Sequence, residues 1–175
     1  MDIRAAGLED AEAIARVHVL AWQGAYRGQI PDELPDALSI ERRARGWRGT
    51  LSAQPQDGQP NWVAEADAAV VGFASVGPSR DDDASPHVGE LYAIYVLPEY
   101  WGRAIGRHLM ETAEDWLGNR FATATLWVLE SNIRTRRFYE SLGWNTDGTA
   151  KDDARGSFVL RELRYRRVFT PHAGR

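Results

Sequence analysis

A chain of 175 residues, 43% hydrophobic and 26% charged, holds one globular domain with a sizeable core and is too short for two. It has no cysteine, which excludes disulfides, cysteine nucleophiles and cysteine-ligated metals. A net charge of −4 gives no overall pull toward nucleic acid or an anionic membrane, so any anion site has to be local.

No apolar run approaches membrane-spanning length, and the start, MDIRAAGLED, lacks the basic and then apolar regions of a secretory signal. A cytoplasmic protein is therefore expected. Asp2 to Ala5 reads as a short strand, and Leu8, Ala11, Ile14, Ala15, His18 and Trp22 then mark one face of a helix. Pro31 and Pro35 interrupt the chain before a second helical stretch, SIERRARGWRGTL, which Pro55, Gly58 and Pro60 close. NWVAEADAAVVGFASVG gives two strands joined by a turn at Asp67, with Gly72 a weak point or bulge. PSRDDDASP is a polar, turn-forming loop, expected to be mobile. GELYAIYVL follows as a long strand. A helix comes next, whose buried positions are Ile105, Leu109, Met110, Ala113, Trp116 and Leu117. TATLWVL is another strand, NIRTRRFYESL a helix ended by Gly143, and GSFVLRELRY the clearest strand of the tail. The run RELRYRR is a candidate basic patch for nucleic acid, but its alternation with Leu160, Leu163 and Tyr165 reads more simply as a strand with a solvated face. This order predicts a mixed α/β layer fold.

The chemistry concentrates between residues 88 and 144. A strand running into a glycine-containing turn and then a helix presents unpaired backbone N–H groups that suit a phosphate. Trp101 to Arg107 occupy such a turn. Arg103 and Arg107 are unfavourable at a positive helix end unless an anion joins them, or unless they extend into water or pair with Glu99 and Glu111. The loop is not GxxxxGK[ST], since Lys151 is the only lysine, and Gly102 and Gly106 are spaced wrongly for GxGxxG. GFASVG around Ser75 misses the GxSxG elbow. His18, His87, His108 and His172 have no metal-ligand spacing, so no metal is expected.

VLPEYWGRAIG, residues 96 to 106, resembles the central motif [QR]xxGx[GA] of the GNAT superfamily of acetyl-CoA-dependent N-acetyltransferases. Trp101 stands at the [QR] position, Ala104 at the first glycine and Gly106 at the last. NIRTRRFYESLGW resembles a second family motif, with Asn132, Tyr139, Gly143 and Trp144 in register, and IRAAGLEDAEAIARVHVLAW resembles the family's first strand and helix. The resemblance implies a single-domain α/β (α+β) fold over residues 1–170, with 171–175 a disordered tail. Its sheet would be mixed but mostly antiparallel and flanked by helices, its central strands splayed into a cofactor cleft. It implies acetyl-CoA as cosubstrate, held by Ile94, Tyr95 and Val96, by Trp101, Gly102, Arg103, Ala104, Ile105, Gly106 and Arg107, and by Asn132 and Tyr139. Ala104 fits this scheme with a negative φ, as at a helix start.

An amine acceptor is protonated near neutral pH, its pKa being ~10, so a base has to act before nitrogen attacks the thioester. Glu90, eleven residues before Trp101, stands where some family members carry that base, and strand parity groups it with Tyr92, Ile94 and Val96 unless a bulge intervenes. A solvent-exposed strand edge, or a water acting as base, is the alternative. Tyr139 is similar to the family's general acid, although Thr135, Phe138, Tyr139 and Leu142 also form a packing stripe. Backbone N–H groups of Ile94 to Val96 would hold the thioester oxygen. Trp22, Tyr26 and Arg27 are the acceptor-site candidates, or else pack the loop onto the core. The acceptor is expected to be a small-molecule or peptide amine, and the protein a monomer or homodimer. No nucleic-acid or membrane partner is expected. A CoA-binding regulatory or sensor module with little turnover is the alternative function.

Overall fold

In the computed structural model, residues 1–28, 30–31, 33–57, 59–155 and 157–170 are described, without side chains for 35–36 and 54–57. The tail expected at 171–175 lies outside the described residues. The elements are β1 (Asp2–Ala5), α1 (Ala11–Tyr26), α2 (Glu33–Asp36), α3 (Ile40–Asp57), β2 (Asn61–Ala66), β3 (Ala69–Pro78) and β4 (Val88–Val96). There follow α4 (Ile105–Gly118), β5 (Thr123–Leu129), α5 (Ile133–Ser141), β6 (Asn145–Arg155) and β7 (Phe158–Val168).

One sheet of seven strands runs β1-β2-β3-β4-β5-β7-β6. Every pairing is antiparallel except β4 with β5, which is parallel and lasts only from Val88↔Thr123 to Glu90↔Thr125. Beyond that point β4 leaves β5, and the sheet opens.

Local sequence explains the joints. Asp67 and Ala68 both take positive φ, 53° and 61°, which is the tight-turn geometry whose twist matches a hairpin of β2 and β3. A bulge at Val71, beside Gly72, bends β3. Gly143, with φ 82°, ends α5 in the left-handed conformation that a side chain resists. α3 runs through Pro55 to Asp57, so its end lies beyond the first of the expected breakers.

Apolar side chains fill both faces of the sheet. One cluster holds Ile14, Val17, Val63, Phe73, Leu97 and, from α4, Leu109; the other holds Leu91, Met110, Leu117, Leu126, Trp144 and Tyr165. Leu8, expected in the first helix's buried face, is 53% exposed, because the chain there is a single tight turn before α1. Val17 and Ala21 are buried in its place. Trp116 is half-buried, with the Arg120 guanidinium over its ring.

The loop after β3 departs from expectation: it is anchored. Arg164 on β7 is 6% exposed and binds three aspartates, Asp81 and Asp83 of the loop and Asp147 of β6. The Trp127 indole also donates to Asp81, at 2.8 Å. The supposed solvated face of β7 therefore buries an arginine, because β6 and the loop cover it.

Candidate active site

Where β4 and β5 part, a cleft of about 1740 Å³ opens. Its wall runs from the turn before α4, along β4 and α5, to α1, α3 and the β5-β7-β6 surface.

At the turn end, Trp101 N–H donates to Pro98 and His108 N–H donates to Ala104. Between them the N–H groups of residues 102–107 have no hydrogen-bond partner among the described residues. Gly102 and Ala104 have φ of 80° and 62°, which turns successive N–H groups toward one point, a geometry that suits an anion. The expected negative φ of Ala104 is thus overturned. The turn needs a left-handed residue at the motif's glycine position, and alanine adopts it at a cost of ~1–2 kcal/mol. Gly106 has room for a methyl group within the protein, its nearest neighbour being Phe138 at 3.6 Å, so internal packing does not require a glycine there.

The arginines divide. Arg107 lies on the cleft wall, whereas Arg103 places its guanidinium over the Tyr100 ring, 4.9 Å from its centroid, and off the wall. Neither pairs with Glu99 or Glu111. Trp101 replaces the motif's polar side chain with a clamp: its indole donates to Val96 O at 2.7 Å, and Arg134 covers its ring at 4.0 Å. Arg134, on the wall, is a charge that sequence reasoning missed, although it lies inside the second motif. Ile94, Tyr95 and Val96 line the cleft, on the stretch of β4 that β5 no longer accompanies.

Asn132 caps α5 by accepting from Thr135 N–H at 3.1 Å and donates to the Tyr26 hydroxyl at 3.2 Å. Tyr139 packs against Phe138 and Tyr165, and its hydroxyl makes no hydrogen bond among the described residues. Burial pushes that hydroxyl above the usual tyrosine range, with Tyr26 adding to it. The hydroxyl therefore stays protonated and, with no partner among the described residues, is free to donate a hydrogen bond on the cleft wall.

Glu90 is not at a solvent edge. It is 3% exposed, and its carboxylate accepts from Arg80 N–H at 2.8 Å, from Arg80 Nη2 at 2.6 Å and from Arg80 Nε at 3.4 Å. The Arg80 guanidinium lies 3.9 Å from the Tyr92 ring centroid. On β4 the bulge that would break the parity is present. Val76 pairs with Leu91 and Ser75 with Ala93, so Tyr92 is a bulged residue and Glu90 shares a face with Ala93 and Tyr95.

Of the acceptor candidates, Trp22 and Tyr26 meet edge to face on the wall, with centroids 4.6 Å apart. Arg27 is exposed and off the wall, because α1 ends at Tyr26 and the chain turns away. The opposite surface, unread in the sequence, carries Trp127, Lys151 and Glu162. Lys151 Nζ sits 3.9 Å from the Trp127 ring centroid and 3.5 Å from Glu162 Oε2. Burial raises the Glu162 carboxyl, and Lys151 opposes it. The sole signal was the Leu160-Glu162-Arg164 alternation, which without β6 looked like a strand's outer face. Among the described residues no group of three or more His, Asp or Glu could hold a metal ion, and no helix is long and apolar enough to cross a membrane.

Residues 12–144 match the family described as Acetyltransferase (GNAT) family. The chain is 35% identical over 136 residues to the uncharacterized N-acetyltransferase YuaI of Bacillus subtilis, covering 74% of this chain and 72% of that one. It is 34% identical over 144 residues to an uncharacterized N-acetyltransferase of Archaeoglobus fulgidus, covering 81% and 90%. The [ribosomal protein bS18]-alanine N-acetyltransferase of Escherichia coli is 31% identical over 118 residues, 65% of this chain and 75% of that one. Among solved structures, the PaiA N-acetyltransferase from Thermoplasma acidophilum in complex with coenzyme A superposes with a TM-score of 0.72 at 23% identity, over 94% of this chain and 98% of that one.

Proposed function

The chain belongs to the acetyltransferase (GNAT) family, and from that premise we propose that it moves the acetyl group of acetyl-CoA to a primary amine by direct attack in a ternary complex. The observation that carries this reading is the continuous cleft opened by the parting of β4 and β5, which joins the unpaired N–H groups of Gly102 and of residues 104–107 at one end to the free hydroxyl of Tyr139.

Acetyl-CoA supplies an activated acetyl group as a thioester. The N–H groups of residues 102–107 bind its pyrophosphate, and Arg107 and Arg134 add charge at the same end. For Arg103 only the backbone is assigned to this role. The open edge of β4 at Ile94 to Val96 supplies N–H groups for the thioester oxygen. Asn132 fixes the start of α5 and thereby the position of Tyr139, which protonates the departing sulfur. Trp22 and Tyr26 shape the acceptor end. The domain comprises residues 1–170, and the setting is the cytoplasm. The departures at Trp101 and Ala104 do not favour a sensor without turnover, since one closes onto Val96 and the other keeps its N–H in the cradle.

The acceptor is a small-molecule or peptide amine. The name of the Escherichia coli relative, an alanine N-acetyltransferase for a ribosomal protein, favours testing peptide N-termini among the candidates. Thiol release from acetyl-CoA with a panel of amines and short peptides is the deciding measurement. Release that depends on the added amine is expected. Tight CoA binding without release supports the sensor instead.

Gly106→Ala checks the cradle separately. The helix gains alanine's higher propensity, so thermal stability is expected to hold or rise by up to ~1 kcal/mol. Acetyl-CoA affinity, measured by calorimetry, is expected to fall about tenfold as the methyl group enters space kept for the phosphate, a loss of ~1.4 kcal/mol. A variant that binds normally rules out this assignment of the turn.

A further inference from the structure

Tyr26, Tyr95 and Tyr139 all line the acceptor part of the cleft, and burial pushes each hydroxyl upward. Glu162 lines the same cleft, and its negative charge raises Tyr26 and Tyr95 further. Its place follows from register. Glu162 lies opposite Leu129 on β5 and Lys151 on β6, and Leu129 packs with Tyr26 and Leu160. The Glu162 side chain is 21% exposed, and among the described residues its one partner is Lys151, at 3.5 Å. Glu90 also lines the cleft but is tied down: three contacts from Arg80 occupy both its oxygens, and its side chain is 4% exposed.

We propose that Glu162 is the catalytic base that takes the proton from the acceptor's ammonium group, an assignment that rests on the acetyltransferase reading of the cleft. An ammonium entering between Trp22 and Trp127 meets an aromatic wall and a carboxylate held by one long contact that Lys151 can yield. Glu162 accepts one N–H proton and becomes a carboxylic acid. The freed nitrogen pair forms the N–C bond at the thioester carbonyl, the C–S bond breaks, and the sulfur takes its proton from Tyr139. The second nitrogen proton restores Tyr139, and Glu162 returns its own to solvent. One amide, one thiol and one released proton balance the step.

The groups facing Glu162 are Lys151, Asp153 and Arg155 from β6, Tyr26 from α1 and Tyr95 from β4; β5 presents Leu129. Burial lifts the Glu162 carboxyl above the ordinary range, Lys151 and Arg155 pull it down and Asp153 pushes it up. The acid limb of kcat/KM is therefore expected above ordinary carboxylate values. Removing Lys151 should move it higher still.

The test uses acetyl-CoA with Ala-Gly-Gly and with benzylamine as acceptors. Glu162→Gln is expected to lower kcat about a hundredfold and to abolish the acid limb, with acetyl-CoA affinity unchanged. Glu162→Asp keeps a limb, and Lys151→Met shifts it to higher pH. A limb that survives in Glu162→Gln and disappears in Glu90→Gln overturns the assignment and leaves the acetyltransferase reading intact. Failure to bind acetyl-CoA at all sinks both. Independently of turnover, titration of ¹³C-glutamate-labelled protein should show the Glu162 resonance with a raised midpoint that rises again in Lys151→Met. An ordinary midpoint, unmoved by that change, overturns the proposal even if neither amine is a substrate.

Discussion

Tyr139→Phe is expected to lower kcat for amine acetylation about a hundredfold while leaving acetyl-CoA affinity within about twofold. The expectation follows from what the hydroxyl lacks. It has no hydrogen-bond partner among the described residues, so its removal orphans no buried group and the ring contacts to Phe138 and Tyr165 persist. Folding stability should stay within ~0.5 kcal/mol. What is lost is the donor to the departing sulfur, needed only as the C–S bond breaks, and such a loss lowers kcat rather than binding. Stopped-flow thiol release beside calorimetry separates the two. Equal losses of turnover and affinity would recast Tyr139 as a binding or packing residue.

The largest effect on stability is expected at Arg164. Its side chain is 7% exposed and joins Asp81 and Asp147, whose side chains are 13% and 16% exposed, with the more exposed Asp83 as a third partner. Arg164→Met leaves the partly buried Asp81 without its cation and Asp147 with only Arg166, at 3.6 Å, a loss expected to cost ~1–3 kcal/mol. The loss should appear in urea unfolding as a lower midpoint at unchanged slope.

The pH dependence has a definite sign. Burial works against the Asp147 charge, but hydrogen bonds from Thr149 and Arg164 outweigh it and hold the carboxyl below its usual value; Arg164 holds Asp83 down as well. A carboxyl lowered on folding stabilises the protein above the unfolded carboxylate pKa, and that contribution vanishes as pH falls through the lowered value. Wild-type stability should therefore drop in acid, and Arg164→Met should show a shallower drop.

The chain order of elements from β1 to α5 could be expected from sequence because the strands and helices that build the cleft carry their own periodicity, and the turn at 101–107 carries its glycines. β6 could not be expected. NTDGTAKDDAR is almost wholly exposed or half-exposed, so no alternation marks it as a strand. With β6 went the acceptor wall, since Glu162 and Lys151 face each other only when β6 pairs with β7. The parity of Glu90 turned on a bulge whose presence could not be read. One extra residue, Tyr92, reverses the sides of β4, and no residue type in GELYAIYVL announces a bulge. Ala104 shows the converse case, a motif position whose backbone conformation held although the residue that favours it was replaced.

Lys151, the only lysine in the chain, rests on the cleft wall against Trp127. Reagents that modify amines, such as reductive methylation with ¹³C-formaldehyde, thus have one side-chain target, with the α-amine of Met1 as the other. A methyl group placed by that chemistry would give a single NMR reporter inside the acceptor wall of the unmutated protein, read against the ring current of the indole beneath it. The same scarcity warns against amine-reactive immobilisation, which would tether the protein by the surface its acceptor has to reach.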